Sequence, residues 1–120
     1  MNKIRLKESW SCPISGCVEL NTYTYGLAYE GKLYRISFSK SLLKYIRDTY
    51  FPNYDLVRFR YKIGRKLNYK EKSPNNIYAI MSAKNDKVLR ISLIKEFAEE
   101  ICDYKYRYLS EVYLEVDKKI

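Results

Sequence analysis

A chain of 120 residues, 47% of them apolar, can bury one core and has room for one domain. Its net charge is +9, and it has three cysteines and no histidine. The odd cysteine count excludes a secreted disulfide framework. Cys12, Cys17 and Cys102 leave a zinc site one ligand short, and without histidine there is no Ser-His or Cys-His nucleophile pair.

No run approaches the 18 apolar residues that a membrane helix needs, and MNKIRLKESW lacks the apolar centre of a signal peptide. The expectation is an intracellular, cytoplasmic protein with no membrane partner. Cys12 and Cys17 are close enough to pair, but ordinary thiols are the simpler reading. The 14 tyrosines, with abundant Lys, Ile and Asn, are what AT-rich codons produce, as in the genome of an archaeal virus or mobile element.

In chain order, Lys3–Glu8 and Cys17–Leu20 read as strand. ESWSCPISGC, with Trp10, Cys12 and Pro13, reads as a strap over one end of a barrel. Thr22–Ala28 is rich in Tyr and Thr and reads as a strand. Tyr29-Glu-Gly-Lys is a hairpin turn, with Gly31 suited to a positive φ. Leu33–Phe38 alternates, which puts Tyr34, Ile36 and Phe38 on one face. Ser39 looks like an N-cap. Leu42, Leu43, Ile46 and Tyr50 form an apolar stripe at helical spacing, and Pro52-Asn53 ends that helix. In the next strand Val57, Phe59 and Tyr61 face one way, and Arg58, Arg60 and Lys62 the other.

The chain then repeats itself. KLYRISFSKSLLKYIRD (32–48) and KVLRISLIKEFAEEICD (87–103) agree at seven of 17 positions, at an offset of 55. Extending the offset gives 11 identities in 42 positions, adding Asn21/Asn76, Tyr23/Tyr78, Ala28/Ala83 and Val57/Val112. A period this long marks a duplicated supersecondary unit. The second copy reads as a strand over Ile77–Ala83 and a turn at Asn85-Asp86. A strand with Leu89, Ile91 and Leu93 inward follows. Then come a helix with Phe97, Ala98 and Ile101 inward, and a last strand with Val112, Leu114 and Val116.

The expected fold is α+β, mainly β: a small pseudo-twofold barrel of two β-β-α-β repeats with short helices at the ends. Residues 1–20 would be an N-terminal strand and strap, 21–63 the first repeat, 64–75 a basic exposed loop and 76–118 the second repeat. Closing the barrel would also remove exposed sheet edges.

RISFSKSLLKYI followed by YDLVRFRY, and VLRISLIKEFAEEI followed by EVYLEV, resemble the swapped-hairpin DNA-binding domains of the AbrB/SpoVT type. Lys40 and Lys95 stand where that family has its Lys, Glu96 where it has its Glu, and Asp55 near its turn Asp. Ser39 and Ile94 replace the family's Pro, and its turn Gly is missing from both copies. Having both halves in one chain is more similar to monomeric DNA-binding pseudobarrels. The resemblance covers about 70 residues and implies a non-enzymatic DNA-binding barrel.

Charge points the same way independently. Residues 32–72 hold 12 Lys/Arg and three Asp/Glu, and the rest of the chain is neutral. At the offset of 55, Arg58, Arg60 and Lys62 meet Tyr113, Glu115 and Asp117. Thus the interiors agree, while one exterior is basic. Side chains two apart on a strand are roughly 7 Å apart, a spacing that suits successive phosphates. The expected nucleic-acid contacts are Arg58, Arg60, Lys62, Arg65 and Lys66, flanked by Lys40, Lys44, Arg47, Lys70 and Lys72. Duplex DNA is favoured over RNA or single strands, for a monomer or homodimer with a role in transcriptional or replicative regulation. The bland reading of the strand is pairing with Glu115 and Asp117. Tyr61 reads as core, and Tyr69 as open to stacking.

Glu96, Glu99, Glu100 and Asp103 share a helix and read as a solvated acidic face, not a metal site or acid/base pair. With no histidine, nothing is poised to act as a general base near neutrality. No catalytic residue, cofactor or metal is expected. The rival reading is a protein-binding module, such as a viral inhibitor or adaptor that docks an acidic host-protein surface.

Overall fold

The computed structural model describes residues 4–5, 18–102 and 106–120. Trp10, Cys12, Pro13, Cys17 and Asp103, with most of Lys3–Glu8, lie outside them. The elements are β1 (Ile4–Arg5), β2 (Val18–Tyr29), β3 (Lys32–Ser37), α1 (Lys40–Tyr50), β4 (Asp55–Lys66), β5 (Tyr78–Ser82), β6 (Val88–Ser92), α2 (Lys95–Ile101) and β7 (Arg107–Lys119). All pairings are antiparallel, in the order β1-β3-β2-β4-β7-β5-β6. Each repeat is therefore a β-β-α-β unit, and the two meet at β4 and β7. The sheet curls until β3 and β6 come close, with no ladder between them among the described residues. The barrel is nearly closed, and the expected removal of every sheet edge is incomplete.

Alternation fills the barrel. Val57, Phe59, Tyr61 and Ile63 of β4 turn inward onto Val112 and Leu114 of β7, Ala79 and Met81 of β5, and Ile91 of β6. The outer side of each unit carries a smaller cluster under its helix. Leu43 of α1 sits on Leu27 and Leu56, and Ala98 of α2 on Ile80 and Leu109. Burying a leucine such as Leu43 contributes roughly 1.5–3 kcal/mol, which is what holds so short a helix to the sheet. Only Leu43 and Ile46 of the expected α1 stripe face the sheet. Leu42 and Tyr50 are exposed, at 50% and 66%.

Local signals account for the turns and caps. Glu30 and Gly31 both adopt positive φ, 51° and 74°, the two-residue type I′ geometry that glycine favours. The Ser39 side chain accepts from the Leu42 amide at 3.2 Å and starts α1. Ser37 Oγ accepts from the Ser39 amide at 3.0 Å, and Ser92 Oγ from the Ile94 amide at 3.1 Å. This bond in the lead-in is thus the same in both repeats.

Two expectations about the hairpins are corrected. In β3 and β6 the alternation is broken by a bulge. Leu27 pairs with Arg35 and Ala28 with Leu33, passing over Tyr34. Ile80 pairs with Arg90 and Met81 with Val88, passing over Leu89. The extra residue reverses the faces before it. Leu33 is therefore buried, Val88 packs against the core, and Leu89 is 47% exposed where an inward side chain was expected.

The same pairings correct the repeat. The bulges equate Leu27 with Ile80 and Ala28 with Met81. The ladders to the last strands equate Leu56 with Leu109 and Arg58 with Glu111. β3 and α1 therefore correspond to β6 and α2 at 55, but β2 and β4 correspond to β5 and β7 at 53. The second turn is two residues longer than Glu30-Gly31, and its helix-to-strand connection is two shorter. Asn21/Asn76, Tyr23/Tyr78, Ala28/Ala83 and Val57/Val112 are not structural equivalents, whereas Tyr25/Tyr78 and Leu56/Leu109 are.

Candidate nucleic-acid interface

With the corrected register, Arg58, Arg60 and Lys62 of β4 correspond to Glu111, Tyr113 and Glu115 of β7. The first three alternate outward between the buried residues of β4, as expected. Their neighbours temper the charge. Arg58 Nε donates to Asp117 Oδ2 at 2.6 Å, and its guanidinium lies 4.2 Å over the Tyr23 ring. The bond to Asp117 raises the Arg58 pKa further. Arg60 stands opposite Glu115 in the ladder, and Lys62 opposite Tyr113. Arg60 thus faces Glu115 as the cross-strand reading had it, whereas Asp117 goes to Arg58 and not to Lys62.

The segment after β4 is anchored, which corrects its reading as a wholly exposed basic loop. Leu67 is buried, and its amide donates to the Leu109 carbonyl at 2.8 Å. The buried Ser73 amide donates to the Tyr78 hydroxyl at 2.9 Å, and Asn75 Nδ2 donates to the Val112 carbonyl at 2.7 Å. Arg65 forks onto the Glu71 carboxylate, with one arm at 3.1 Å. This fork, helped by the Asn68 amide, holds the Glu71 pKa down to about 2.

Behind Arg65 lies a buried carboxylate, Glu111, 1% exposed. It accepts from the Arg65 amide at 3.1 Å and from the Tyr113 hydroxyl at 3.1 Å. Burial, and then the bond to Glu111, push the Tyr113 pKa up to about 12. Gly64 makes this packing possible, because a Cβ there would lie 2.9 Å from Tyr113 Cε2. Alternation alone gave no sign that Glu111 is interior to the structure.

The remaining expected contacts divide in two. Lys40 and Lys44 are exposed along α1, and Lys70 and Lys72 are exposed in the anchored loop. Lys70 reaches over the ring of Tyr69, which is itself 69% exposed. Arg47 is drawn to Asp48 at 3.1 Å, and Lys66 Nζ sits 4.9 Å above the Tyr108 ring. Tyr61 is buried, as alternation required. The ten residues thus extend along α1, β4 and the loop, and Arg58, Arg65 and Arg47 among them also serve internal ion pairs.

Arg35 and Arg90 were missed. They are twofold equivalents, both exposed, and both line a cavity of about 270 Å³ between β3 and β6, beside Leu42 and Phe97. Arg90 also lies 5.0 Å over the Phe97 ring. The signal was present in the repeat, because Arg35 and Arg90 are identical although neither is packed in the core.

On α2, Glu96 and Glu100 are exposed and Glu99 is half-buried. Among the described residues no group of three or more carboxylates or thiols could hold a metal ion. Cys102 is buried under α2. No helix of the described residues is long and apolar enough to cross a membrane. No protein-family model matches the chain, and neither a curated protein nor a solved structure shows significant similarity to it.

Proposed function

We propose that the chain is a non-catalytic nucleic-acid-binding module that favours duplex DNA and serves a regulatory role in transcription or replication. One observation carries the reading. At equivalent positions of one duplicated strand, the first repeat presents Arg58, Arg60 and Lys62, whereas the second has Glu111, Tyr113 and Glu115. Glu111 and Tyr113 are buried in the second repeat, whereas core packing calls for no row of cations on the open face of the first. A partner with a phosphate backbone accounts for it, since phosphate contacts supply affinity without sequence information. Lys40, Lys44, Lys70 and Lys72 extend the surface. An interface confined to one repeat suits one chain per non-palindromic site, or a dimer that offers two basic halves.

The test is a gel-shift titration with duplex DNA, single-stranded DNA and RNA at 50 and 200 mM salt. If six or more cations meet phosphates, duplex affinity falls roughly 10³-fold or more between the two conditions. The variant Arg60→Glu/Lys62→Glu should lose most binding while its melting curve stays cooperative. A salt-independent interaction, or full binding by that variant, rejects the reading.

A second reading, docking of an acidic protein surface, is favoured by Leu42 and Phe97, which are 50% and 37% exposed beside Arg35 and Arg90. Its mark is loss of protein binding in Arg35→Glu/Arg90→Glu, with no shift of any nucleic acid.

A further inference from the structure

At the end of the barrel where β4 runs out, a second cavity of about 540 Å³ opens between β4, β5 and β7. That size lies within the range of small-molecule sites, roughly 300–1,000 Å³. Ile63 and Met81, both part of the barrel core, form its inner wall. Lys66, Tyr108 and Asp86 stand around it, and Ser110 faces it from β7.

Ser110 is the informative residue. It is 2% exposed. Thr24, Ser73, Ser92 and Glu111, which are also buried, each spend a side-chain oxygen on a hydrogen bond. The Ser110 hydroxyl has no such partner among the described residues. A buried hydroxyl left without a partner is destabilising. In the first repeat the equivalent residue is Val57, fully buried in the core. The duplicated fold therefore accepts a plain apolar side chain here, and packing does not call for the serine.

The charges around the cavity are uneven in what they offer. The Asp86 carboxylate already accepts from the Tyr108 hydroxyl at 2.6 Å. The Lys66 ammonium rests over the Tyr108 ring, with no carboxylate in ion-pair range among the described residues. An apolar wall, an unused buried hydroxyl and an available cation suit one kind of ligand.

We propose that this cavity binds a small organic anion. Its aliphatic or aromatic body lies against Ile63 and Met81, its charged group meets Lys66, and a polar atom bonds to Ser110 Oγ. This site shares Lys66 with the expected nucleic-acid contacts but rests on its own observations, and its test uses no nucleic acid.

The probes are benzoate, indole-3-acetate and octanoate, each beside its primary amide, followed by amide and methyl chemical shifts of the whole chain. At least one carboxylate should move the signals of Ile63, Met81 and Tyr108, and bind about tenfold more tightly than its amide. Lys66→Met should bring carboxylate and amide to equal affinity, while Lys72→Met changes neither. Ser110→Val should weaken binding tenfold or more. Ser110→Ala should do so in part, and serves if the valine variant does not fold. The proposal is overturned if no carboxylate perturbs these signals at about 10 mM, ten times a weak millimolar Kd, which would leave water as the only occupant. It is overturned equally if Ser110→Ala binds as the parent does, or if the amides match the carboxylates.

Discussion

Arg58 and Glu111 occupy the same place in the two halves of the barrel, and their surroundings have made them opposites. Arg58 lies at the surface and shares a carboxylate with solvent. Glu111 is enclosed by Gly64, Tyr113 and the backbone of Arg65, and holds the end of β4, where the loop begins, against β7. Duplication supplied one frame, and divergence made one site a surface charge and the other a buried hub. An outward-facing position is therefore not always an exposed one, because here the end of β4, out of register between Ile63 and Lys66, lies against it.

The largest expected effect breaks that hub. Glu111→Ala leaves the Tyr113 hydroxyl and the Arg65 amide without their acceptor and takes a carboxylate from beside the Arg65 guanidinium. Each donor left unsatisfied there costs about 1–3 kcal/mol. Arg58→Ala, at the equivalent site, should cost less than about 1 kcal/mol, as exposed pairs do. Urea denaturation of the two variants decides the matter, and equal midpoints would refute the contrast. Gly64→Ala comes next. Its Cβ would meet the Tyr113 ring and, at 3.2 Å, Glu111 Cβ, so overpacking should cost about 1–3 kcal/mol.

Acid should loosen the same loop. Glu71 has its pKa lowered from 4.5 to about 2 by the Arg65 fork. The native state therefore holds the carboxylate ionised over a range in which the unfolded chain protonates it. The resulting stabilisation is complete above the ordinary carboxylate pKa and is lost as the pH falls through the folded value. Between pH 4.5 and 2 the parent should lose more Tm than Glu71→Gln, which has no such proton to take up. Parallel Tm profiles for the two proteins would show that Arg65 and Glu71 contribute nothing to stability.

These residues also mark what the sequence made legible. Glu30-Gly31, the Ser39 cap and the inward run Val57, Phe59, Tyr61 and Ile63 could be read because each depends on its immediate neighbours. The bulges at Tyr34 and Leu89 could not, because a bulge is a property of two strands together. The two-residue shift between repeats was hidden for a related reason. A longer turn and a shorter connection cancel, so an ungapped match crosses both and is in register only over β3/β6 and the helices. The basic character of the first repeat was legible as composition. Which cations would be drawn into ion pairs depended on Asp117 and Glu71 and on the shape of the loop.

The smallest effect compares the two helix starts. Ser39 caps α1 with its side chain, whereas its counterpart Ile94 precedes α2 with no side-chain bond. Helix α2 is also shorter, seven residues against 11. Ser39→Ala should destabilise by about 1 kcal/mol, the ordinary worth of an N-cap. Ile94→Ser installs the missing acceptor on backbone already extended at φ −122°, ψ 115°. Against it stands the lost packing of a half-buried isoleucine. The net gain should therefore be a few tenths of a kcal/mol at most, and hydrogen exchange over residues 95–101 should slow more than global stability rises. If Ile94→Ser leaves that exchange unchanged, the missing cap is not what keeps α2 short. The connection to β7, two residues tighter than its counterpart, then becomes the element to lengthen.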